Sequence, residues 1–156
     1  MFWTTCPCSH NLIGLIQRVT QARVEINQVP VANIHIGITA LIGVENSDTE
    51  ASADRLLKRM LGYRIFPDHD GKMNLSLTHI QGELLLVPQF TLPADTKKGM
   101  RPSFSAAAPP ELGKELFLYL LGQAGLKHNK VSAGRFGADM QVTLTNDGPV
   151  TFWLQV

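Results

Sequence analysis

The stretch Leu84–Phe104, LLLVPQFTLPADTKKGMRPSF, changes character three times. It begins with the apolar run LLLV, which is typical of a strand buried on both faces. Gln89 and Thr91 follow two positions apart, so on an extended chain their amide and hydroxyl point to the same side. The polar loop that comes next carries the cations Lys97, Lys98 and Arg101. The stretch is either a strand that ends in a solvated turn or a strand that presents chemistry to an anionic substrate.

Length and composition indicate one globular domain. The chain has 156 residues, of which 44% are hydrophobic and 17% charged, and this balance argues for a buried core and against disorder. With a net charge of +1, any nucleic acid would have to contact a local basic patch. No apolar run is long enough to span a membrane and no secretory signal is evident. We therefore expect a cytoplasmic protein without a membrane partner.

The first dozen residues differ from the rest. We interpret residues 1–12 as an appended tail that need not be ordered, and residues 13–156 as the domain. The only cysteines are Cys6 and Cys8, with His10 nearby. A lone C-x-C pair makes neither a zinc site nor a disulfide framework, and we expect no metal and no cofactor. Asp68, His69 and Asp70 are interpreted as a turn, because three neighbours on a turn rarely converge on one ion.

The order of predicted elements is strands, helix, strands, helix, strands. This order predicts an α/β fold, a single compact domain in which two helices pack on a strongly β body, layered or barrel-like. The first helix should begin at a capping box, Ser47–Glu50, and end at Gly62. The second should run from about Glu111 to Ala124, with Gly122 and Gly125 ending it. Short strands are predicted at 63–66 and 73–77.

The C-terminal segment contains a strong turn signal. Residues 140–145 alternate between apolar and polar, Asn146–Pro149 has turn composition, and Val150–Val156 resumes as a strand. This pattern predicts a terminal hairpin.

Familiar catalytic motifs are missing from the sequence. We find no Walker loop, no G-x-G-x-x-G, no G-x-S-x-G and no carboxylate pair at a spacing that indicates acid–base work. An enzyme built from this chain would have to use hydroxyls, amides and backbone groups, or a group of its own substrate.

Two motifs occur together. The pairing of PQFTL-x-ADT-x-KG-x-RPSF with GRFGADMQVTLTNDGPVTF closely resembles the D-aminoacyl-tRNA deacylases. The resemblance runs from about Leu15 through ASADRLLKRMLGYRIF and GKMNLSL to the C-terminus, in the family's order and spacing. It implies a compact α/β homodimer with its active site at the dimer interface. The implied reaction is hydrolysis of the ester in D-aminoacyl-tRNA, and of glycine mischarged on tRNA for alanine.

The resemblance also implies roles for individual residues. Gln89, Phe90 and Thr91 of one subunit would line the catalytic pocket. Gly148 and Pro149 of the other subunit, joined by a cis bond, would enter that pocket and reject L-amino acids. Catalysis would fall to the 2′-hydroxyl of the tRNA. The residues that would support the pocket are Pro88, Gly137, Ala138, Met140, Asn146 and Thr151. Because Lys97, Lys98 and Arg101 adjoin the implied pocket, we expect them to bind tRNA, and we expect no DNA partner.

Two departures keep alternatives open. Pro88 stands where the family has Ser, and with Thr145-Asn146 before the Gly-Pro it is similar to an animal paralogue of relaxed chirality that edits mischarged L-aminoacyl-tRNA. The chain also begins before the usual start of the family. A non-catalytic module that binds the tRNA end is the alternative from another class, and Thr91 as a covalent nucleophile is the alternative mechanism.

Overall fold

The computed structural model describes residues 11–156. Its elements in chain order are β1 (Ile13–Ile26), β2 (Val29–Ile34), β3 (Gly37–Gly43), α1 (Glu50–Gly62), β4 (Phe66–Pro67), β5 (Met73–Leu75), α2 (Leu77–Ile80), β6 (Glu83–Pro88), α3 (Pro110–Lys127), β7 (Val131–Ala133) and β8 (Gln141–Gln155). The predicted fold class, a strongly β body with helices packed on it, is confirmed.

The long strand β1 organises the sheet. Its first half pairs antiparallel with β3, its second half pairs antiparallel with β2, and β8 pairs with it along nearly the whole length. The order β2-β1-β3-β6-β7 continues through two parallel pairs, β3–β6 and β6–β7. Because β1 serves different neighbours at its two ends, the sheet curls into a nearly closed barrel.

The sheet buries apolar side chains on both faces. One cluster joins the sheet to α1 and α3 and includes Ile38, Leu57, Leu86 and Phe117. A smaller cluster fills the inside of the curl. The run LLLV of β6 contributes to both clusters by alternation, as a continuous apolar strand with two buried faces should.

The predicted terminal hairpin is wrong. Residues on both sides of Asn146–Pro149 belong to β8, and both pair antiparallel with β1. Between the pairs Gln17–Thr151 and Val19–Asn146, β1 advances by two positions and β8 by five, so the extra residues of β8 leave the ladder as a large bulge. We call residues 146–151 the β8 bulge. Its turn composition fits a bulge as well as a hairpin. It is a bulge because the same strand, β1, pairs with both of its flanks.

Several element limits also differ from the predictions. Helix α3 continues through Gly122 and Gly125 to Lys127, because its packing against α1 and β7 outweighs the weak helix propensity of two glycines. The capping box of α1 is formed by Thr49 and Ser52, not by Ser47 and Glu50. The one-turn helix α2, with its own capping box, was not predicted and replaces the end of the strand expected over 73–77.

The predicted tail falls mostly outside the described residues, as do Cys6, Cys8 and His10. Leu12, its last residue, is buried with 1% of its surface exposed, and the backbone N–H of Asn11 donates to Asp48 Oδ1 at 2.8 Å. The turn at Asp68 is confirmed, since its Oδ1 accepts from the backbone of Asp70 and Lys72. Among residues 11–156 no three metal-binding side chains cluster, and no helix is long and apolar enough to cross a membrane.

Candidate active site

A cleft of about 720 Å³ opens where β6 ends. Its floor is the C-terminal end of β6 and β3, one wall is the first turns of α3, and the other is the segment after β7. The residues that line it are Ile42, Val44, Val87, Pro88, Gln89, Phe90, Phe104, Ala107, Ala108, Pro109, Pro110, Gly113, Phe117, Phe136, Gly137, Ala138, Met140 and Val142. None of these side chains is titratable, so the cleft is apolar apart from backbone groups and one amide.

Gln89 is placed by the sheet. Its backbone N–H donates to Ile42 O at 2.8 Å, which extends the parallel β3–β6 register by one step. Its side-chain Nε2 donates to Thr91 Oγ1 at 2.5 Å. The two polar side chains thus meet, as expected, although the chain between them is not extended.

The segment after Gln89 is a turn. The N–H of Leu92 donates to Gln89 O at 3.3 Å, and the N–H of Ala94 donates to Thr91 O at 3.1 Å. The turn packs on Gly43 at the end of β3, where an added Cβ would lie 2.8 Å from Leu92 Cβ and 2.9 Å from Pro93 Cδ. A glycine at the end of β3 therefore lets the turn fold back onto the sheet.

Two aromatic rings stand at the mouth of the cleft. The centroids of Phe90 and Phe104 are 5.6 Å apart, and the side chains are 66% and 42% exposed. Exposed aromatic faces of this kind are suited to stacking on a nucleobase. Phe104 was not singled out from the sequence, although its place directly after the cationic loop is a usable signal.

The predicted supporting residues divide into two groups. Pro88, Gly137, Ala138 and Met140 line the cleft beside Gln89 and Phe90. Thr91 is exposed next to it and reaches it only through its hydrogen bond with Gln89. Asn146, Gly148, Pro149 and Thr151 do not line the cleft, and all four lie in the β8 bulge.

Hydrogen bonds within the β8 bulge fix its shape. Asn146 Oδ1 accepts from the N–H of Val150 at 2.7 Å, and Asn146 Nδ2 donates to Thr151 Oγ1 at 2.8 Å. The Gly148–Pro149 peptide bond is cis, and both residues are exposed. Gly148 has a φ of 134°, a region that side chains rarely adopt, which accounts for glycine at this position.

Arg18 anchors the bulge from β1. Its Nε donates to Asp147 O at 3.0 Å, and its Nη1 donates to Ile65 O at 2.8 Å. The guanidinium also lies 3.5 Å from Asp147 Oδ2, and the side chain is 12% exposed. Sequence reasoning missed this residue. Its sequence context, among other polar residues of β1, gave no signal that separates it from them.

The cleft and the β8 bulge of one chain are far apart. Val142 at the start of β8 lines the cleft and pairs with Val24 of β1, whereas Asn146, at the start of the bulge, pairs with Val19. Five positions of β1 at about 3.3 Å each put this edge of the cleft roughly 16 Å from the start of the bulge.

The predicted tRNA-binding cations occupy a separate loop. Asp95 and Ser103 close this loop by two backbone hydrogen bonds of 2.8 and 3.0 Å. Lys97, Lys98 and Arg101 are exposed between them, and none of the three lines the cleft. The loop leads directly into Phe104, so its cations flank the mouth.

Comparison with known proteins identifies the family. Residues 15–155 match the family model described as D-Tyr-tRNA(Tyr) deacylase. The chain is 62% identical over 142 residues to the D-aminoacyl-tRNA deacylase of Pseudomonas fluorescens Pf-5, covering 91% of this chain and 98% of that one. The chain belongs to the D-aminoacyl-tRNA deacylase family. The predicted family, the reaction class and the assignment as an enzyme are therefore confirmed.

Further similar proteins are a second bacterial relative and two solved structures. The D-aminoacyl-tRNA deacylase of Nitrosococcus oceani is 56% identical over 145 residues, covering 93% of this chain and 94% of its own. A solved structure titled c-Myc DNA Unwinding Element Binding Protein superposes with a TM-score of 0.89 at 35% identity, covering 92% and 98% of the two chains. A structure described as a probable eukaryotic D-amino acid tRNA deacylase shares the fold, with a TM-score of 0.81 at 16% identity, covering 94% and 100%.

Proposed function

We propose that this deacylase holds the aminoacyl ester of D-aminoacyl-tRNA in the cleft, where the 2′-hydroxyl of the tRNA assists the attack of water that releases the D-amino acid and leaves the 3′-hydroxyl free. The observation that carries the proposal is a cleft lined by no titratable side chain, in a protein of an ester-hydrolysing family. General acid–base catalysis needs a proton carrier within hydrogen-bond reach. The 2′-hydroxyl next to the aminoacylated 3′-oxygen is a group that every substrate brings with it.

Gln89 and Thr91 act as the polar floor of the site. Their mutual hydrogen bond fixes the amide and hydroxyl at the end of a buried strand. Phe90 and Phe104 provide faces on which the terminal adenine stacks. We assign Gln89, Phe90 and Thr91 to substrate positioning, and Pro88, Gly137, Ala138 and Met140 to the shape of the pocket.

Selection against L-amino acids requires a second subunit. We propose a homodimer in which Gly148 and Pro149 of one chain enter the cleft of the other. The roughly 16 Å between the cleft edge at Val142 and the start of the β8 bulge supports this arrangement, because neither Gly148 nor Pro149 lines the cleft of its own chain. Asn146, Thr151 and Arg18 hold the inserted backbone in place.

A backbone wall suits a filter for chirality. Contact with one methylene discriminates by only about 1–3 kcal/mol, so fit to the D side chain is a weak criterion across many amino acids. A backbone wall that clashes with the side chain of an L-amino acid rejects all L-amino acids, whatever the size or chemistry of the side chain. Glycine has no side chain to clash, so glycine mischarged on tRNA for alanine is also a substrate.

Lys97, Lys98 and Arg101 contact the tRNA backbone close to its 3′ end. Their loop flanks the cleft, and phosphate contacts of this type position a nucleic acid without reading its sequence. A cytoplasmic location follows from this substrate. The two alternatives differ from this proposal in their substrates. A paralogue of relaxed chirality would hydrolyse mischarged L-aminoacyl-tRNA, whereas a binding module would hydrolyse neither the D- nor the L-ester.

A mixed dimer tests the shared site. Gln89→Trp should block its own cleft with a bulky ring, and Pro149→Ala should yield a homodimer that also hydrolyses L-Tyr-tRNA. In a purified dimer with one subunit of each kind, only one cleft keeps an intact Gln89. In the proposed arrangement, that cleft receives the intact Pro149 of its partner. We expect this dimer to hydrolyse D-Tyr-tRNA and to reject L-Tyr-tRNA. Retained L-Tyr-tRNA hydrolysis would show that Pro149 acts on its own subunit's cleft.

A further inference from the structure

A second concavity, of about 560 Å³, lies where α1 ends and α2 begins. Four cations line it, Arg55 and Lys58 of α1, Arg64 after that helix, and Lys127 at the end of α3. We call this concavity the basic groove. It shares no lining residue with the cleft, although opposite ends of α3 contribute to the two sites.

The charge of the basic groove is not neutralised by the described protein. None of the four cations forms an ion pair with a described carboxylate, and Arg64 makes only a 3.3 Å hydrogen bond to the amide of Asn74. Asp54 is the one acidic side chain in the lining, and its carboxylate already accepts from Tyr119 Oη at 3.0 and 3.2 Å. In a chain with a net charge of only +1, this is a local concentration of positive charge.

His79 adds a hydrogen-bond donor to the groove. The N–H of Ser76 donates to His79 Nδ1 at 3.0 Å, so Nδ1 is the acceptor and Nε2 carries the proton. Ser76 and His79 form the capping box of α2, which fixes the ring, and Thr78 Oγ1 ties α2 to Leu61 O at 3.2 Å. Four cations with a fixed N–H donor on a rigid wall suit phosphate oxygens.

Helix α3 connects the basic groove to the cleft. Gly113 lines the cleft and Lys127 lines the groove. Their separation of fourteen positions corresponds to about 21 Å along the helix and, at roughly 100° per residue, returns to within about 40° of the same side. The side that the two residues share is buried between them, at Phe117, Leu120 and Ala124, so a substrate with its aminoacyl end in the cleft would extend about 21 Å over the exposed part of α3 to reach the groove.

We propose that the basic groove binds the phosphodiester backbone of the same tRNA, beyond its 3′ end. This inference rests on the proposed function, because only a tRNA whose ester occupies the cleft has phosphates at this distance. The spread of the cations over three segments fits a backbone that crosses the groove better than a single convergent anion. Contacts here add affinity for the body of the tRNA that does not depend on the amino acid.

Charge-matched variants test the proposal. Lys58→Gln with Lys127→Gln removes two exposed cations of the groove, and Arg23→Gln with Lys72→Gln removes two exposed cations that line neither the groove nor the cleft. Binding of tRNA that carries no amino acid is measured between 50 and 200 mM salt. Each lost phosphate contact should reduce the steepness of log affinity against log salt by about 0.7–0.9. The slope for the groove variant should therefore be shallower by about 1.4–1.8. The ratio of the variant's affinity to that of the unmodified protein should therefore rise by about 7–12-fold between 50 and 200 mM salt.

A second substrate separates the groove from the chemistry. The ratio of kcat/KM for intact D-Tyr-tRNA to kcat/KM for the D-tyrosyl ester of adenosine should fall in the groove variant and not in the control variant. Equal slopes and affinities in the two variants, or equal losses in both, would overturn the proposal. Absence of D-Tyr-tRNA hydrolysis by the unmodified protein would instead contradict the proposed function, and the salt series would still decide whether the groove binds RNA.

Discussion

The guanidinium of Arg18 joins the backbone of Asp147 to that of Ile65. One nitrogen donates to Asp147 O at 3.0 Å and another donates to Ile65 O at 2.8 Å. A residue of β1 thereby fixes the β8 bulge against the segment that follows α1. Because Gly148 and Pro149 directly follow Asp147, the position of the proposed chirality filter depends on this side chain.

Replacing Arg18 should weaken selection as well as stability. Arg18→Ala leaves two carbonyls without their charged donor, and we expect a loss of about 1.5–3 kcal/mol in the free energy of unfolding. Arg18→Lys keeps the charge but cannot reproduce two divergent contacts, so it should recover only part of the effect. The check is the ratio of kcat/KM for D-Tyr-tRNA to that for L-Tyr-tRNA. A ratio unchanged in a variant of lowered stability would limit Arg18 to a structural role.

Asn146 and Thr151 should act as a coupled pair. Asn146→Ala removes both hydrogen bonds of the bulge, whereas Thr151→Val removes only the one between the two side chains. We expect Asn146→Ala to be the more damaging change to stability, by about 0.5–1.5 kcal/mol for the additional bond. A double-mutant cycle by urea unfolding measures the coupling, and strict additivity of the two changes would contradict a direct bond.

Thr91→Ala distinguishes positioning from covalent catalysis. Removal of a nucleophile costs about 10⁶-fold in kcat in a well-studied hydrolase, whereas loss of one hydrogen bond costs on the order of 10-fold. The hydroxyl of Thr91 accepts from the amide of Gln89, and no described histidine lines the cleft to activate it. We expect residual activity within about 100-fold of the unmodified enzyme. Abolished turnover with intact tRNA binding would favour Thr91 as the nucleophile.

The buried carboxyl of Asp48 should make stability depend on pH. Burial raises the pKa of Asp48 above its ordinary 3.8, against the opposing effect of hydrogen bonds from the N–H groups of Glu45 and Asn11, and burial raises the pKa of Glu45 as well. The folded protein then binds protons more tightly than the unfolded chain does. The contribution of these groups to the free energy of unfolding is therefore full below pH 3.8 and is lost as the pH rises through the folded pKa.

Asp48→Asn isolates this contribution. Urea unfolding between about pH 4 and 7 should show a shallower decline with rising pH in the variant. The variant should also be less stable throughout, because its amide nitrogen would face one of the two N–H groups that Asp48 now accepts from. An identical pH profile in the two proteins would rule out Asp48 as the group responsible.

Local pattern was sufficient for much of the fold. The apolar run of β6 was predictable because a strand buried on both faces is apolar at every position. The stripe of α1 was predictable because a helix buried on one face repeats apolar residues at helical spacing. The β8 bulge was not, since NDGP has the same turn chemistry in a hairpin and in a bulge, and only the pairing of β1 with both flanks decides between them. The glycines of α3 misled for a similar reason, because tertiary packing outweighed local propensity.

The site was predictable in part through its motifs. Pro88, Gln89, Phe90, Gly137, Ala138 and Met140 were named from the sequence, and the structure gathers them around one cleft. Arg18 and Phe104 were missed because the role of each depends on a residue distant in sequence, Asp147 for Arg18 and Phe90 for Phe104. Arg18 lies 129 positions from Asp147 along the chain, so no local pattern could connect them.

Hydrolysis of D-Tyr-tRNA and L-Tyr-tRNA by the same purified protein tests the central claim most directly. The enzyme should release D-tyrosine and leave the L-ester intact at matched concentrations, since the proposed backbone wall excludes L side chains whatever their chemistry. Equal rates for the two esters would contradict selection by Gly148 and Pro149. A failure to release D-tyrosine would contradict the proposed chemistry itself.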